Sequence, residues 1–158
     1  MKYSYRITKY HTYIEGTSFL TSPPEEWLDY SGVGSSVTLE EYVKVESQYI
    51  DVILTLSAMA GITQFQELRW PTILTDEGEM PPCIKGDIAA TPEAIAASVR
   101  HYLRHGGGKL VSLDGSAEVH FGWDFYMYMV CDVPYEQVIG KLNTPLNVEA
   151  YRSPHLDK

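Results

Sequence analysis

The stretch His120-Phe-Gly-Trp-Asp-Phe-Tyr-Met-Tyr-Met-Val-Cys131 combines aromatic and apolar side chains in one run that contains no lysine or arginine. This composition is typical of an extended segment inside a protein core, so we predict a core strand. Its few polar side chains, His120 and Asp124, do not form a recognisable catalytic group. We therefore expect this stretch to decide the fold rather than to carry a reaction.

The residues before this stretch predict a β-hairpin. Segments 109–113 and 117–121 are joined by Asp114-Gly115, a pair that tolerates the positive φ angles of tight reversing turns. We expect residues 125–131 to continue the hairpin as a further antiparallel strand.

Two helices have clear start signals. Thr38 and Glu41 form a capping box, apolar residues recur at helical spacing behind them, and Gly61 suits a left-handed stop, so we predict a helix over 39–60. Thr91-Pro92-Glu93 predicts a second helix, because proline is favoured at the first helical position and an acid is favoured near the positive end of the helix dipole. The three glycines at 106–108 end it.

Shorter elements complete the pattern. Residues 2–9 alternate, with Tyr3, Tyr5 and Ile7 on one face, and predict a half-buried first strand. We predict a second strand over 63–70, a short helix from Pro134 and an edge strand over 146–151. Residues 10–37 and 75–87 have little periodicity and predict loops, the first of them anchored by Trp27 and Tyr30.

This order of elements predicts one α+β domain over residues 1–158. We expect a mixed, mostly antiparallel sheet with helices packed on one face, since helices interspersed among neighbouring strands must bury one stripe against the sheet.

The charge is negative and unevenly distributed. The formal net charge is -9; residues 1–79 hold 12 acids and 5 bases, whereas residues 80–158 hold 9 acids and 7 bases. Nucleic-acid binding needs clustered lysine and arginine, so we exclude it. A field of this sign attracts a cationic partner. The alternative, that an acidic surface only keeps the protein in solution, stays open at this point.

The cysteines and the apolar pattern indicate the compartment. Cys83 and Cys131 are too few for a disulfide scaffold, and we expect free thiols in a reducing cytoplasm. The first residues are polar and alternating, unlike a signal peptide. No window reaches the roughly 18 apolar residues of a membrane span, so we expect no membrane contact.

Candidate catalytic and metal-binding residues are few. His101 and His105 have the i,i+4 spacing of metal ligands on a helix but no third ligand, so we expect a structural pair and neither metal nor cofactor. His120 and Asp124 are four residues apart on the predicted strand and would share a face. A small enzyme or ligand-binding domain with a pocket there, near Tyr126 or Tyr128, is the alternative function. We expect no enzyme, because a further catalytic group is missing.

Four segments resemble a group of small bacterial proteins, the immunity proteins of contact-dependent or polymorphic toxin systems. They are Tyr5-Arg-Ile-Thr-Lys-Tyr10, residues 25–34, Leu39-Glu-Glu-Tyr-Val-Lys-Val-Glu-Ser-Gln-Tyr-Ile50 and Val119-His-Phe-Gly-Trp-Asp-Phe-Tyr-Met-Tyr128. The resemblance implies a cytoplasmic protein that binds and neutralises a cognate toxin domain, commonly a nuclease. It transfers no interface residue.

The charge and the resemblance lead to one hypothesis. A nuclease surface that holds phosphates is basic, and a carboxylate-rich patch carrying tyrosine would complement it. We expect electrostatic steering to speed the association. The predicted partner-binding residues are Glu25, Glu26, Asp29, Tyr30, Asp76, Glu77 and Glu79. A structural subunit of a larger complex is a further alternative.

Overall fold

The computed structural model describes residues 1–17, 19–71, 76–79 and 81–156. Within these residues the chain forms three helices, nine strands and one 3-10 turn at Tyr30–Gly32. In chain order the helices and strands are β1 (Tyr3–Thr8), β2 (Thr12–Tyr13), β3 (Leu20–Thr21), α1 (Leu39–Met59), β4 (Phe65–Arg69), β5 (Ile84–Ala89), α2 (Pro92–His105), β6 (Gly108–Ser112), β7 (Glu118–Phe121), β8 (Met127–Cys131), α3 (Tyr135–Lys141) and β9 (Asn147–Ala150).

Seven strands form one sheet in the order β5-β4-β6-β7-β8-β1-β9, and β2 pairs with β3 separately. Each pairing in the large sheet is antiparallel. The predicted α+β fold with a mostly antiparallel sheet is thus confirmed. β1 lies between β8 and β9, so the two ends of the chain meet in the sheet.

The helix starts follow from the predicted caps. The Glu41 backbone N–H donates to Thr38 Oγ1 at 3.2 Å, and the Ala94 N–H donates to Thr91 Oγ1 at 3.1 Å. Each cap satisfies a backbone donor that the first helical turn leaves free. Gly61, with φ +71°, follows the end of α1. Both predicted helices are confirmed to within two residues at each end.

The helices pack on one face of the sheet. Tyr5, Ile7, Met127 and Met129 of the central strands are buried against the apolar stripes of α1 and α2. No helix within the described ranges combines the length and apolar character that crossing a membrane requires. Cys131 is buried, Cys83 is exposed, and neither forms a disulfide.

Three sequence predictions differ from the structure. The predicted loop 75–87 ends too late, because residues 84–87 already belong to β5. This edge strand is largely exposed and has a β-bulge, so it lacks the alternation of a half-buried strand. The loop 10–37 contains the β2–β3 hairpin. β1 is buried on both faces rather than one, since Arg6 is 5% and Thr8 0% exposed.

An ion-pair cluster joins the two long helices. Glu46 on α1 is 1% exposed and accepts hydrogen bonds from Nε and Nη2 of Arg104 on α2, at 2.8 and 2.9 Å. Arg100 Nε lies 3.4 Å from the same carboxylate. This bidentate geometry compensates the removal of Glu46 from water and sets how α1 and α2 lie against each other.

We predict that Glu46→Ala lowers the free energy of unfolding by about 3 kcal/mol, because Arg104 is left partly buried without its counter-charge. Asp51→Ala, an exposed position on the same helix, should change it by less than about 0.5 kcal/mol. Urea unfolding of both variants measures the difference. Equal stabilities would show that the cluster is not needed for helix packing.

Candidate functional site

The predicted strand 120–131 is interrupted by a tight turn at residues 122–126. β7 ends at Phe121 and β8 begins at Met127, and these two residues face each other in the sheet. The Gly122 N–H donates to the Tyr126 carbonyl at 2.7 Å, which closes the turn. The interpretation of 120–131 as one core strand is therefore wrong between its two ends, whereas the predicted antiparallel strands over 117–121 and 125–131 are confirmed to within two residues.

Two consecutive residues of the turn are in the left-handed region. Asp124 has φ +57° and Phe125 has φ +65°, conformations that cost a side-chain-bearing residue of order 1–3 kcal/mol each. The ring of Phe125 is 3% exposed and packs edge-on against Tyr49, Trp27 and Tyr42 at centroid distances of 4.7, 5.3 and 5.7 Å. Burial of this ring holds the turn in its strained conformation.

Trp123 is directed into solvent by the same turn. Its exposed fraction is 89%, the highest of any large hydrophobic residue in the described part of the chain. The Tyr126 N–H donates to its carbonyl at 3.1 Å, so its backbone is held although its ring is uncovered. Tryptophan is enriched among residues that dominate binding at protein interfaces. The exposure of Trp123 has no sequence signal, because the surrounding residues are typical of a core strand.

The loop that carries Glu25, Glu26 and Asp29, which we call the first acidic segment, lies beside this turn. The Tyr10 hydroxyl donates to the Asp124 carbonyl at 2.7 Å and is 3.5 Å from the Trp27 carbonyl. The loop that carries Glu25 and Asp29 is thereby joined to the loop that carries Trp123. We call this region the acidic end; it consists of the exposed residues Glu25, Glu26, Asp29, Trp123 and Asp124.

Glu26 has a partner within the protein. Its Oε2 lies 2.6 Å from the Lys9 ammonium, which also lies over the rings of Trp27 and Tyr10, 4.1 and 4.4 Å from their centroids. Burial lowers the pKa of Lys9, whereas the hydrogen bond and the charge of Glu26 act in the opposite direction. This pair fixes the loop to the end of β1.

Asp29 and Tyr30 also have structural roles. Asp29 Oδ1 accepts the Ser31 backbone N–H at 2.9 Å and so caps the 3-10 turn. The half-buried Tyr30 ring packs 5.0 Å from that of Tyr42, and the Arg104 guanidinium lies 4.6 Å from its centroid. Glu25 is the remaining exposed acid of the first acidic segment, and it has no such structural contact in the described part of the chain.

The second acidic segment, residues 76–79, belongs to the connection between β4 and β5. That connection starts at the same end of the sheet, because the Trp70 N–H donates to the Gly107 carbonyl at 2.7 Å beyond the C-terminus of α2. Tyr30 lies near the same helix end, with its ring 6.4 Å from that of His105. Asp76, Glu77 and Glu79 are exposed.

His120 lies elsewhere, on the outer face of the sheet, which we define as the face opposite the helices. It is 1% exposed, whereas Asp124 is exposed in the turn, so the expectation that they share a strand face is wrong. His120 Nε2 is 2.6 Å from Glu118 Oε2, and Nδ1 is 2.7 Å from Ser153 Oγ. Lys109 Nζ is 3.0 Å from the same Glu118 oxygen.

The order serine, histidine, glutamate is that of a proton relay in hydrolases. Ser153 is only 2% exposed, so a substrate does not reach its hydroxyl in this structure. Tyr128 is the cross-strand partner of His120 and is also buried. Glu118 and His120 at i,i+2 on a strand would have predicted part of this cluster, whereas Ser153 has no sequence signal.

The histidine pair of α2 is present as predicted. The His101 and His105 rings are 5.0 Å apart. Among the residues that the structure describes, no group of three or more histidine, cysteine or carboxylate side chains is placed to hold a metal ion.

Comparisons with protein-family models, curated proteins and solved structures give no match to this chain.

We predict a large effect on stability for one substitution in the turn and almost none for another. Phe125→Ala should lower the free energy of unfolding by about 3–5 kcal/mol, because it removes the buried ring that stabilises the left-handed backbone. Trp123→Ala, two residues away, should change it by less than about 0.5 kcal/mol since its ring is exposed. Urea unfolding tests both, and a large loss with Trp123→Ala would mean that this ring stabilises the fold rather than a complex.

Proposed function

We propose that this protein binds a basic protein through its acidic end and neutralises it, as an immunity protein neutralises a cognate toxin domain in the bacterial cytoplasm. The observation that carries the proposal is the position of Trp123. It is 89% exposed on a turn whose backbone is held by internal contacts, and this turn contacts the loop that carries the exposed Glu25 and Asp29.

The tryptophan and the carboxylates contribute differently to such a complex. An indole ring that enters a pocket of the partner removes a large apolar area from water and supplies affinity. Exposed carboxylates act over longer distances and increase the association rate with a cationic surface. Because the turn is already ordered, binding costs little additional conformational entropy at Trp123.

The toxin part of the proposal is supported by the resemblance of four segments to immunity proteins. One of these segments, residues 25–34, contributes the first acidic loop, and another, residues 119–128, contains Trp123. A nuclease toxin has the phosphate-binding surface that a carboxylate-rich protein would block. The partner would then be inhibited by occlusion, with no chemical step in this protein.

The experiment uses a toxin-like protein encoded immediately upstream of this gene, purified as a catalytically inactive variant. We expect a complex whose association rate falls as salt rises, and co-expression should restore growth of cells that produce the active protein. Trp123→Ala should weaken the complex at least about tenfold, mainly through faster dissociation. The triple variant Glu25→Lys, Asp76→Lys and Glu77→Lys reverses one charge of the acidic end and two of the exposed segment 76–79, and it should slow association at low salt.

Two control variants separate these effects from changes in stability or net charge. Leu113→Ala removes a 52% exposed side chain from the hairpin at the other end of the sheet. Asp51→Lys, Glu93→Lys and Glu136→Lys together change the net charge equally at exposed positions away from the turn. The proposal is wrong if the upstream protein does not bind. The proposed surface is wrong if the control triple variant slows association as much as the triple variant Glu25→Lys, Asp76→Lys and Glu77→Lys.

A further inference from the structure

The C-terminal segment, residues 151–156, crosses the outer face of the sheet and is held there by polar contacts. The Tyr151 N–H donates to the Ser4 carbonyl at 2.9 Å, and the Ser153 N–H donates to Ser4 Oγ at 2.9 Å. The Tyr151 ring covers the guanidinium of Arg6, which lies 4.0 Å from the ring centroid. We call this segment the clasp.

The clasp contacts one titratable ring nitrogen of the sheet: Ser153 Oγ lies 2.7 Å from Nδ1 of His120. The Nε2 atom of His120 faces Glu118 Oε2, a carboxylate oxygen that can only accept a hydrogen bond, so Nε2 carries a proton. In a neutral ring Nδ1 is then an acceptor, and the Ser153 hydroxyl donates a hydrogen bond to it. The Ser153 oxygen in turn accepts the His155 N–H at 3.2 Å. All of these contacts are satisfied when the imidazole is neutral.

We propose that the clasp is a pH-dependent closure that opens when His120 takes up a second proton. Protonation makes Nδ1 a donor, and the Ser153 hydroxyl proton then loses its acceptor. It also places a net positive charge under the clasp, because the charges of Glu118 and Lys109 already balance each other at 3.0 Å. Opening returns the imidazolium to water and uncovers the buried Arg6 and Tyr128.

The charged and titratable groups around the His120 ring come from the neighbouring strands and from the clasp. Lys109 on β6 and Glu118 on β7 carry the opposite charges, and Tyr128 on β8 contributes a buried phenol. From the clasp, the His155 ring lies 5.8 Å from that of His120 and 5.7 Å from that of Tyr128.

The direction of the pH effect follows from burial. Desolvation lowers the pKa of His120 below its ordinary value near 6.5, and the hydrogen bond to Glu118 offsets this only in part. In the open form the ring is in water and binds a proton more readily. The closed form is therefore fully favoured above about pH 6.5 and loses stability as the pH falls below that value.

Amide hydrogen exchange measured by NMR tests the proposal on the full-length protein. The protection factors of the Tyr151 and Ser153 amides, corrected for the intrinsic rate, should fall at least about threefold between pH 7.5 and pH 5. The Met129 amide in the centre of the sheet should keep its protection, which distinguishes clasp opening from global unfolding. Equal protection of the clasp at both pH values overturns the proposal.

Three variants identify the titrating group. His120→Gln retains a donor and an acceptor without titrating, so its clasp should stay closed and lose the pH dependence. His155→Gln should keep the pH dependence, and its loss there would assign the effect to His155 instead. Ser153→Ala removes the clasp side of the bond and should give low protection at both pH values. Persistent pH dependence in a folded His120→Gln variant also overturns the proposal.

Discussion

The burial of Phe125 is the contact on which the acidic end of the molecule depends. Its ring joins α1, through Tyr42 and Tyr49, to the loop that carries Trp27. Without it, only the hydrogen bonds of the turn would remain to offset the backbone strain of two successive left-handed residues. One apolar contact therefore determines both where β8 begins and where the exposed tryptophan is placed.

The two faces of the sheet are covered in different ways. The helix face buries apolar and aromatic side chains in a single core. The outer face near β1, β7 and β8 buries polar ones, among them Arg6, Thr8 and His120. Buried polar groups need partners, and the C-terminal segment supplies some of them. An apolar face is insensitive to pH, whereas this polar face contains a buried imidazole, so the pH dependence proposed for the clasp originates there.

The sequence predicted those parts of the fold that local physics decides. The capping threonines, Gly61 and the Asp114-Gly115 turn act within a few residues, and the corresponding helices and hairpin were predicted closely. Long-range contacts decide the rest. Ser153 meets His120 only because β1 and the clasp lie side by side, and the Phe125 turn interrupts a segment whose composition suits a strand. For the site, the acidic segments were visible as a charge pattern, but the exposure of Trp123 was not.

Two of the predicted partner-binding residues in the acidic end have contacts within the protein, and these contacts limit what they can contribute to binding. Glu26 is paired with Lys9 and Asp29 caps a turn, so their charges are partly compensated or held in place. Their main contribution is to keep the loop rigid beside Trp123. Long-range attraction then depends more on exposed carboxylates such as Glu25, Asp76 and Glu77. Because such attraction is screened within about 8 Å at physiological salt, in the proposed complex it would increase the association rate, whereas Trp123 would set the dissociation rate.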